Sequence, residues 1–292
     1  MKPSVDILGV VAATDTTRLA AEHVTLTERC GLVNRSARGK LALTGSGAVE
    51  FLNGQVTNEL VGLRPGEGCY AAFLTHKGKM LGDLRILAVG DDARGEPREL
   101  LLDTERGALQ ALFDMIRRFK VGYRVELHKR TLECALLSLL GPEATQVASG
   151  AFALDSPMPS EREHSHVPAR LDRTPVRLIR TDTGVDVLFE ATEIDVVDAA
   201  LRAAGAVAVS EAAAEIVRVE RGRPRYGIDL DESTIPQEAG LNERAVSFTK
   251  GCYVGQETVA RLFYKGKPNR HLRGLRLSEP TESGAQLRLD ER

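Results

Sequence analysis

Lys250-Gly251-Cys252-Tyr253-Val254-Gly255-Gln256-Glu257 is the most informative stretch of the chain. A single cysteine follows a lysine by two residues and precedes a Gln-Glu pair by four and five. Gly251 and Gly255 flank it, and glycine lets a backbone turn sharply or approach a partner closely. A neighbouring cation favours thiolate over thiol, the usual route to a cysteine that attacks or ligates. Cys252 and Lys250 are therefore the candidate reactive pair, with Gln256 and Glu257 as polar groups beside them. The competing reading is a half-buried cysteine packing as a small hydrophobe.

Four further segments lie upstream in order. They are Phe51-Leu52-Asn53-Gly54-Gln55-Val56-Thr57-Asn58-Glu59-Leu60, residues 66–79, residues 221–230 and Pro236-Gln237-Glu238-Ala239. Residues 66–79 read Gly-Glu-Gly-Cys-Tyr-Ala-Ala-Phe-Leu-Thr-His-Lys-Gly-Lys, and residues 221–230 read Arg-Gly-Arg-Pro-Arg-Tyr-Gly-Ile-Asp-Leu. Seven of the eight positions in 250–257 match KGCYxGQE, the signature of the YgfZ family, which is related to the folate-dependent T-protein of glycine cleavage. The upstream segments resemble that family's FLxGQVTND, RxGxPxxGxDL and PxEA stretches, with Glu59 where aspartate is common. The resemblance covers most of the chain.

It implies an α+β fold, with two interleaved α+β subdomains around a central cavity and a small C-terminal β-barrel behind them. Residues 1–245 are expected to form the folate-binding body. Residues 246–292 are expected to hold the motif and a shortened barrel remnant of one or two strands. The chain ends at Arg292, so the barrel is either reduced or truncated.

The implied ligand is tetrahydrofolate or a one-carbon derivative. Such a ligand needs a carboxylate toward its amines, apolar walls and cations toward its tail. The resemblance puts Asp83 at a folate-facing aspartate and Asp186 at a pterin-contacting glutamate. Tyr70 is placed to stack on a ring. Taken by themselves, Asp83 also reads as a solvated strand carboxylate and Tyr70 as a core tyrosine.

The function implied is an accessory protein for iron-sulfur enzymes, including tRNA-modifying ones, with those enzymes as partners. Aminomethyl transfer of the glycine cleavage type is the alternative, and a scaffold with a vestigial cavity is a third reading. The run from Thr258 to Arg276 is basic, with no acidic residue. It reads as a solvated face or as a surface toward a polyanion. It lacks the aromatic interleaving of nucleic-acid platforms, so direct nucleic-acid binding is not expected.

Composition agrees with a globular chain. Its 292 residues suffice for two domains or one large core, and 42% are hydrophobic. Aromatics make up 4% and tryptophan is absent, so aliphatic packing dominates. A net charge of −2 gives no global argument for nucleic acid or membrane. Residues 1–10 lack the apolar core of a signal peptide, and no run suits a membrane helix, so a cytoplasmic setting is expected. Cys30, Cys69, Cys134 and Cys252 are scattered, without zinc or iron-sulfur spacing. Four free thiols in a reducing compartment follow.

The local pattern alternates strands and helices. Strands are predicted at Lys40–Thr44, Cys69–Leu74, Met80–Val89, Glu99–Asp103, Val176–Thr181 and Val185–Phe189. On the third of these, Leu84, Ile86 and Ala88 share one face, while Asp83 and Arg85 share the other. Helices are predicted after caps at Ser46, Thr104, Thr192 and Ser210. Leu109, Leu112, Phe113 and Ile116 give the second helix its period. Residues 155–175 read as a proline-rich surface loop, with His164-Ser165-His166 solvated rather than metal-binding.

Overall fold

A computed structural model describes residues 13–92, 95–279, 281 and 284–286. Among them run eleven strands: β1 (Gly31–Asn34), β2 (Gly39–Thr44), β3 (Gly68–Leu74), β4 (Met80–Asp91), β5 (Pro97–Thr104), β6 (Glu126–Lys129), β7 (Cys134–Leu140), β8 (His166–Leu171), β9 (Thr174–Arg180), β10 (Gly184–Glu190) and β11 (Val207–Ala208). They form two sheets. One has the order β11-β1-β7-β10-β9-β8, the other β3-β4-β5-β2-β6. The chain starts the first sheet, builds all of the second, then returns to finish the first. The expected interleaving of two α+β halves is thus present.

The β3–β4 hairpin follows directly from its sequence. Period-2 alternation sends Leu84, Ile86 and Ala88 into a core with Leu41, Leu43, Phe51, Phe73 and Leu102. Gly78, at φ +76°, closes the turn, its N–H donating to the Thr75 carbonyl at 2.9 Å. Tyr70 pairs with Arg85, and Ala72 with Asp83. The helix Leu109–Phe119 covers this sheet through Leu112 and Ile116. The other sheet has its own core, built from Leu137, Leu139, Leu178, Val185, Val187, Val197 and Leu201.

Asp83 and Arg85 occupy the opposite face of β4 and are nonetheless buried. They face the other sheet: an Arg85 Nη1–H donates to Asp186 Oδ2 on β10 at 2.6 Å. The polar sides of the two sheets therefore look at each other across a central space.

Helix starts depart from the predicted caps at three places. Ser46 makes no cap; two glycines bracket it, and the helix Ala48–Asn53 begins after Gly47, whose N–H donates to the Arg124 carbonyl. Thr104 remains the last residue of β5, because its hydroxyl donates to the Asp83 carbonyl across the sheet at 2.5 Å. Thr192 lies inside a 3₁₀ turn that precedes the helix Ile194–Ala203. Ser210 does cap the helix Glu211–Glu220, accepting from the Ala213 N–H at 3.2 Å.

Two other expectations change. His164, Ser165 and His166 are buried, not solvated. The His164 N–H donates to the Arg180 carbonyl, and the His166 N–H to the Gly66 carbonyl, so the segment is threaded between two strands' ends. After Glu257 no strand forms among the described residues; the helix Gln256–Lys265 is followed by irregular, mostly exposed chain.

Candidate functional site

The space between the sheets is a cavity of about 870 Å³. Small-molecule sites span about 300–1,000 Å³, so it is large enough for a flat heterocycle with a tail. Tyr70, Asp83, Asp103 and Asp186 all line it, together with Arg85 and His164.

The Tyr70 hydroxyl donates to Asp83 Oδ2 at 2.6 Å from the neighbouring strand. Burial pushes the Asp83 carboxyl up to about 6, against the opposing pull of the Tyr70 hydrogen bond and the Arg38 charge. Burial, reinforced by the Asp83 charge, also drives the Tyr70 phenol well above its ordinary value. The pair is thus a carboxyl able to change protonation near neutrality, held by a hydroxyl that keeps its proton.

Beneath this pair lies a network of charges. Arg85 bridges the sheets, its Nη2–H donating to Asp103 Oδ2 at 2.6 Å while its other arm holds Asp186. The Ser138 hydroxyl donates to Asp186 Oδ1 at 2.6 Å. Both oxygens of Asp186 are therefore engaged, and it orients Arg85. Arg38 pairs with Asp103 at 2.7 Å and also with Glu105, and Arg225 reaches Glu105 at 3.2 Å. Burial raises the Asp103 carboxyl, but Arg38 and Arg85 outweigh it and hold the group below its usual range. Over the Tyr70 ring, 5.0 Å from its centre, lies the Arg244 guanidinium, which pairs with Glu163.

The buried histidines carry a pH consequence. Burial lowers His164 to about 3 and His166 to about 4, with nearby arginines adding to the effect. The Arg177 Nη1–H points at His166 Nδ1, 2.9 Å away, which requires that nitrogen to accept. A histidine whose folded pKa is depressed gives stability that is present above about 6.5 and lost as pH falls toward the folded value. Urea denaturation at pH 7 and pH 5 should show His166 alone withdrawing about 2 kcal/mol. That portion of the acid sensitivity should vanish in His166→Asn.

The 250–257 stretch sits elsewhere. None of Lys250, Cys252, Gln256 and Glu257 lines the cavity. Lys250 Nζ is turned inward and donates to the carbonyls of Asn53, Val56 and Asn58 at 2.6, 2.8 and 2.8 Å. Around it the Ser247 N–H donates to the Thr57 carbonyl, and the Thr57 hydroxyl to the Ala245 carbonyl. Tyr253 and Val259 pack with Leu74 and Met80. The stretch is a clasp that joins residues 245–259 to residues 53–58 and the β3–β4 hairpin.

Lys250 is thus engaged by those carbonyls, its charge acts on the Cys69 thiol, and Cys252 is exposed. Burial pushes Cys69 up to about 12, with Lys250 partly opposing. Gln256 and Glu257 begin the helix Gln256–Lys265 and contribute its first turn.

Gly255 precedes that helix at φ +83°, and a Cβ there would lie 2.5 Å from the Thr75 carbonyl oxygen. Gly255→Ala should destabilise the fold by about 1–3 kcal/mol, read by urea denaturation.

Several cavity residues escaped the sequence reading: Arg38, Asp103, Glu105, His164, Arg225 and Arg244. The signal for some of them was present, since two charges on one face of a central strand demand buried partners. Among the described residues no group of histidines, cysteines and carboxylates is arranged to hold a metal. Nor is any described helix long and apolar enough to cross a membrane.

Comparison with known proteins places this geometry. A chloroplastic protein of Arabidopsis thaliana with a provisional transferase name is 28% identical over 264 residues, 89% of this chain and 59% of that one. An aminomethyltransferase of Thermus thermophilus is 27% identical over 236 residues, 80% of this chain and 65% of that one. The chain thus spans about six-tenths of the length of these relatives. In three dimensions it follows the glycine cleavage system aminomethyltransferase T of Bartonella henselae with a TM-score of 0.72. That match has 23% identity and covers 85% of this chain and 67% of that one. Residues 12–250 match the GCVT N-terminal domain, and the chain belongs to that family.

Proposed function

We propose that the protein binds a reduced folate, tetrahydrofolate or a one-carbon derivative, in the cavity between the sheets and serves one-carbon transfer of the aminomethyl type. The observation that carries this reading is the buried Asp83 carboxyl, held by the half-buried Tyr70 hydroxyl, on the cavity wall of a GCVT-family chain. The residues present suit such a ligand. Asp83 offers a carboxylate to amine N–H groups, Tyr70 offers a ring face, and the exposed arginines Arg106 and Arg221 stand at the rim for a carboxylate tail. Tetrahydrofolate supplies a secondary amine that carries one-carbon units. Above about pH 6 Asp83 is ionised and accepts from that amine; near pH 6 it takes up or returns a proton. The direct test is folate-dependent release of ammonia from an aminomethyl-lipoyl carrier, measured with the unaltered protein and with Asp83→Asn. Turnover by the first and loss of at least tenfold by the second is the expected outcome.

A second reading is a YgfZ-like accessory role, with folate bound and iron-sulfur enzymes as cytoplasmic clients. Its support is the KGCYxGQE stretch, which leaves Cys252 exposed outside the cavity. The relatives described above are named for aminomethyl transfer or for transfer in general, and they favour the first reading; the Arabidopsis relative is chloroplastic. A deletion strain whose iron-sulfur enzymes fail while glycine cleavage persists would favour the second.

A further inference from the structure

Arg38 stands on the cavity wall with donors to spare. Its Nε–H donates to Asp103 Oδ1 at 2.7 Å, and its Nη1–H to Glu105 Oε1. Its Nη2 makes no hydrogen bond and is not sealed inside the protein, 24% of the side chain being exposed. Arg85, Arg180, Arg218 and Arg225 on the same wall spend both terminal nitrogens on protein oxygens. The anchors of Arg38 are themselves held. Asp103 takes Arg85 on its other oxygen at 2.6 Å, and Glu105 takes Arg225 at 3.2 Å. A planar guanidinium fixed at two nitrogens presents the third in one direction, as a prepared contact does.

Sheet register places that contact beside Asp83. Arg85 pairs with Asp103, and Gly39 with Thr104. Carried a residue or two further, the same register sets Asp83 on β4, Glu105 just past β5 and Arg38 just before β2 in one row. Two strand spacings, about 10 Å, separate the backbones of Asp83 and Arg38. Asp83 has an open atom as well: Tyr70 holds Oδ2, while Oδ1 has no partner and is not sealed in. The wall thus offers one free acceptor and one free donor side by side. Charge decides what the donor takes. Asp103 and Glu105 already answer the Arg38 cation, and Asp83 adds a third carboxylate nearby. Three anions repel an incoming carboxylate, whereas a neutral carbonyl oxygen accepts the N–H without that penalty.

We infer that Arg38 is a specificity contact for the ring end of the ligand, its Nη2–H donating to a neutral carbonyl oxygen while Asp83 Oδ1 accepts from a neighbouring amine. The inference rests on the folate reading of the cavity and adds to it the group that the wall selects. A reduced folate offers such an oxygen in two places: the oxo group of the pterin ring and, in formyl derivatives, the formyl oxygen.

The test titrates tetrahydrofolate and 5-formyltetrahydrofolate into the unaltered protein and into Arg38→Gln by calorimetry, from about pH 6 to about pH 9. Thermal melts without ligand show whether the variant folds. Affinity should fall by about tenfold or more in the variant. A loss with tetrahydrofolate marks the ring oxo group as the acceptor; a loss with the formyl derivative alone marks the formyl oxygen. The pH series separates contact from influence at a distance, because the Arg38 charge also favours the ionised form of Asp83. A direct contact leaves the deficit in place across the range. A deficit that vanishes as pH rises and Asp83 ionises overturns the inference, as do affinities within about twofold for both ligands. If Arg38→Gln does not fold, the ¹⁵N resonance of Arg38 Nη2 in the unaltered protein decides: a shift on saturation supports the contact, and an unmoved resonance rejects it. No binding of either ligand by the unaltered protein rejects the folate reading itself, and this inference with it.

Discussion

Lys250→Met should lower stability by about 3–5 kcal/mol, while Cys252→Ser should stay within about 0.5 kcal/mol of the unaltered protein. The lysine amine donates to three carbonyls nearly two hundred residues upstream in the chain. Methionine fills the volume of the stem but offers no donor, so the buried Val56 carbonyl and the part-buried Asn53 and Asn58 carbonyls lose this partner. Hydrogen bonds from a charged donor are each worth about 1.5–3 kcal/mol, and they are not fully additive. Cys252 is exposed, and serine changes little there. Urea denaturation of the two variants measures both effects. Equal stabilities would mean that the clasp does not hold residues 245–259 to the body. The same pair separates structure from reactivity in the motif, because a reactive Cys252 would show in client activity and leave stability untouched.

Asp83→Asn should act in opposite directions on binding and on stability. A charge-assisted contact to a ligand amine is worth about 1.5–3 kcal/mol, so affinity for a reduced folate should drop by at least tenfold at pH 7.5. In the unaltered protein affinity should climb as pH rises through about 6, where Asp83 ionises. The asparagine variant should be flat over the same interval. Stability runs the other way. Because the folded pKa lies above the ordinary carboxyl value, the contribution of Asp83 is fully present below about 3.9 and is lost as pH rises through about 6. At pH 7.5 the neutral amide should therefore stabilise the fold by about 1–3 kcal/mol. Functional carboxylates held at a stability cost behave in this way, whereas a structural one would lose stability on replacement.

The parts legible in the sequence are those governed by local rules. The β3–β4 hairpin shows its period and its turn glycine, and the alternation on β4 already separates Asp83 and Arg85 from the core side. Ser210 caps its helix as its type suggests, its hydroxyl accepting from the Ala213 N–H while it donates to the Glu22 carboxylate. Where the reading failed, a distant group intervened. The Thr104 hydroxyl goes to a carbonyl of β4 rather than to the helix behind it. The polar, proline-rich segment around His164 looks like a loop, yet the carbonyls of Gly66 and Arg180 draw it inside. Lys250 and Cys252 are neighbours in the chain, but neighbours two apart in an irregular segment need not face one another. The partners that fix Lys250 lie in residues 53–58. The cavity network had the same obscurity: Arg85, Asp103, Asp186 and Ser138 come from four strands in two sheets, and no spacing in the sequence relates them.

The most direct measurement of the central claim is a crystal structure of the protein with 5-formyltetrahydrofolate. The folate reading predicts the ligand between the two sheets, a ring nitrogen within hydrogen-bond distance of the Asp83 carboxyl, and its carboxylate tail toward Arg106 and Arg221. Ligand bound outside the cavity, or inside it with the ring end turned away from Asp83, would contradict that reading.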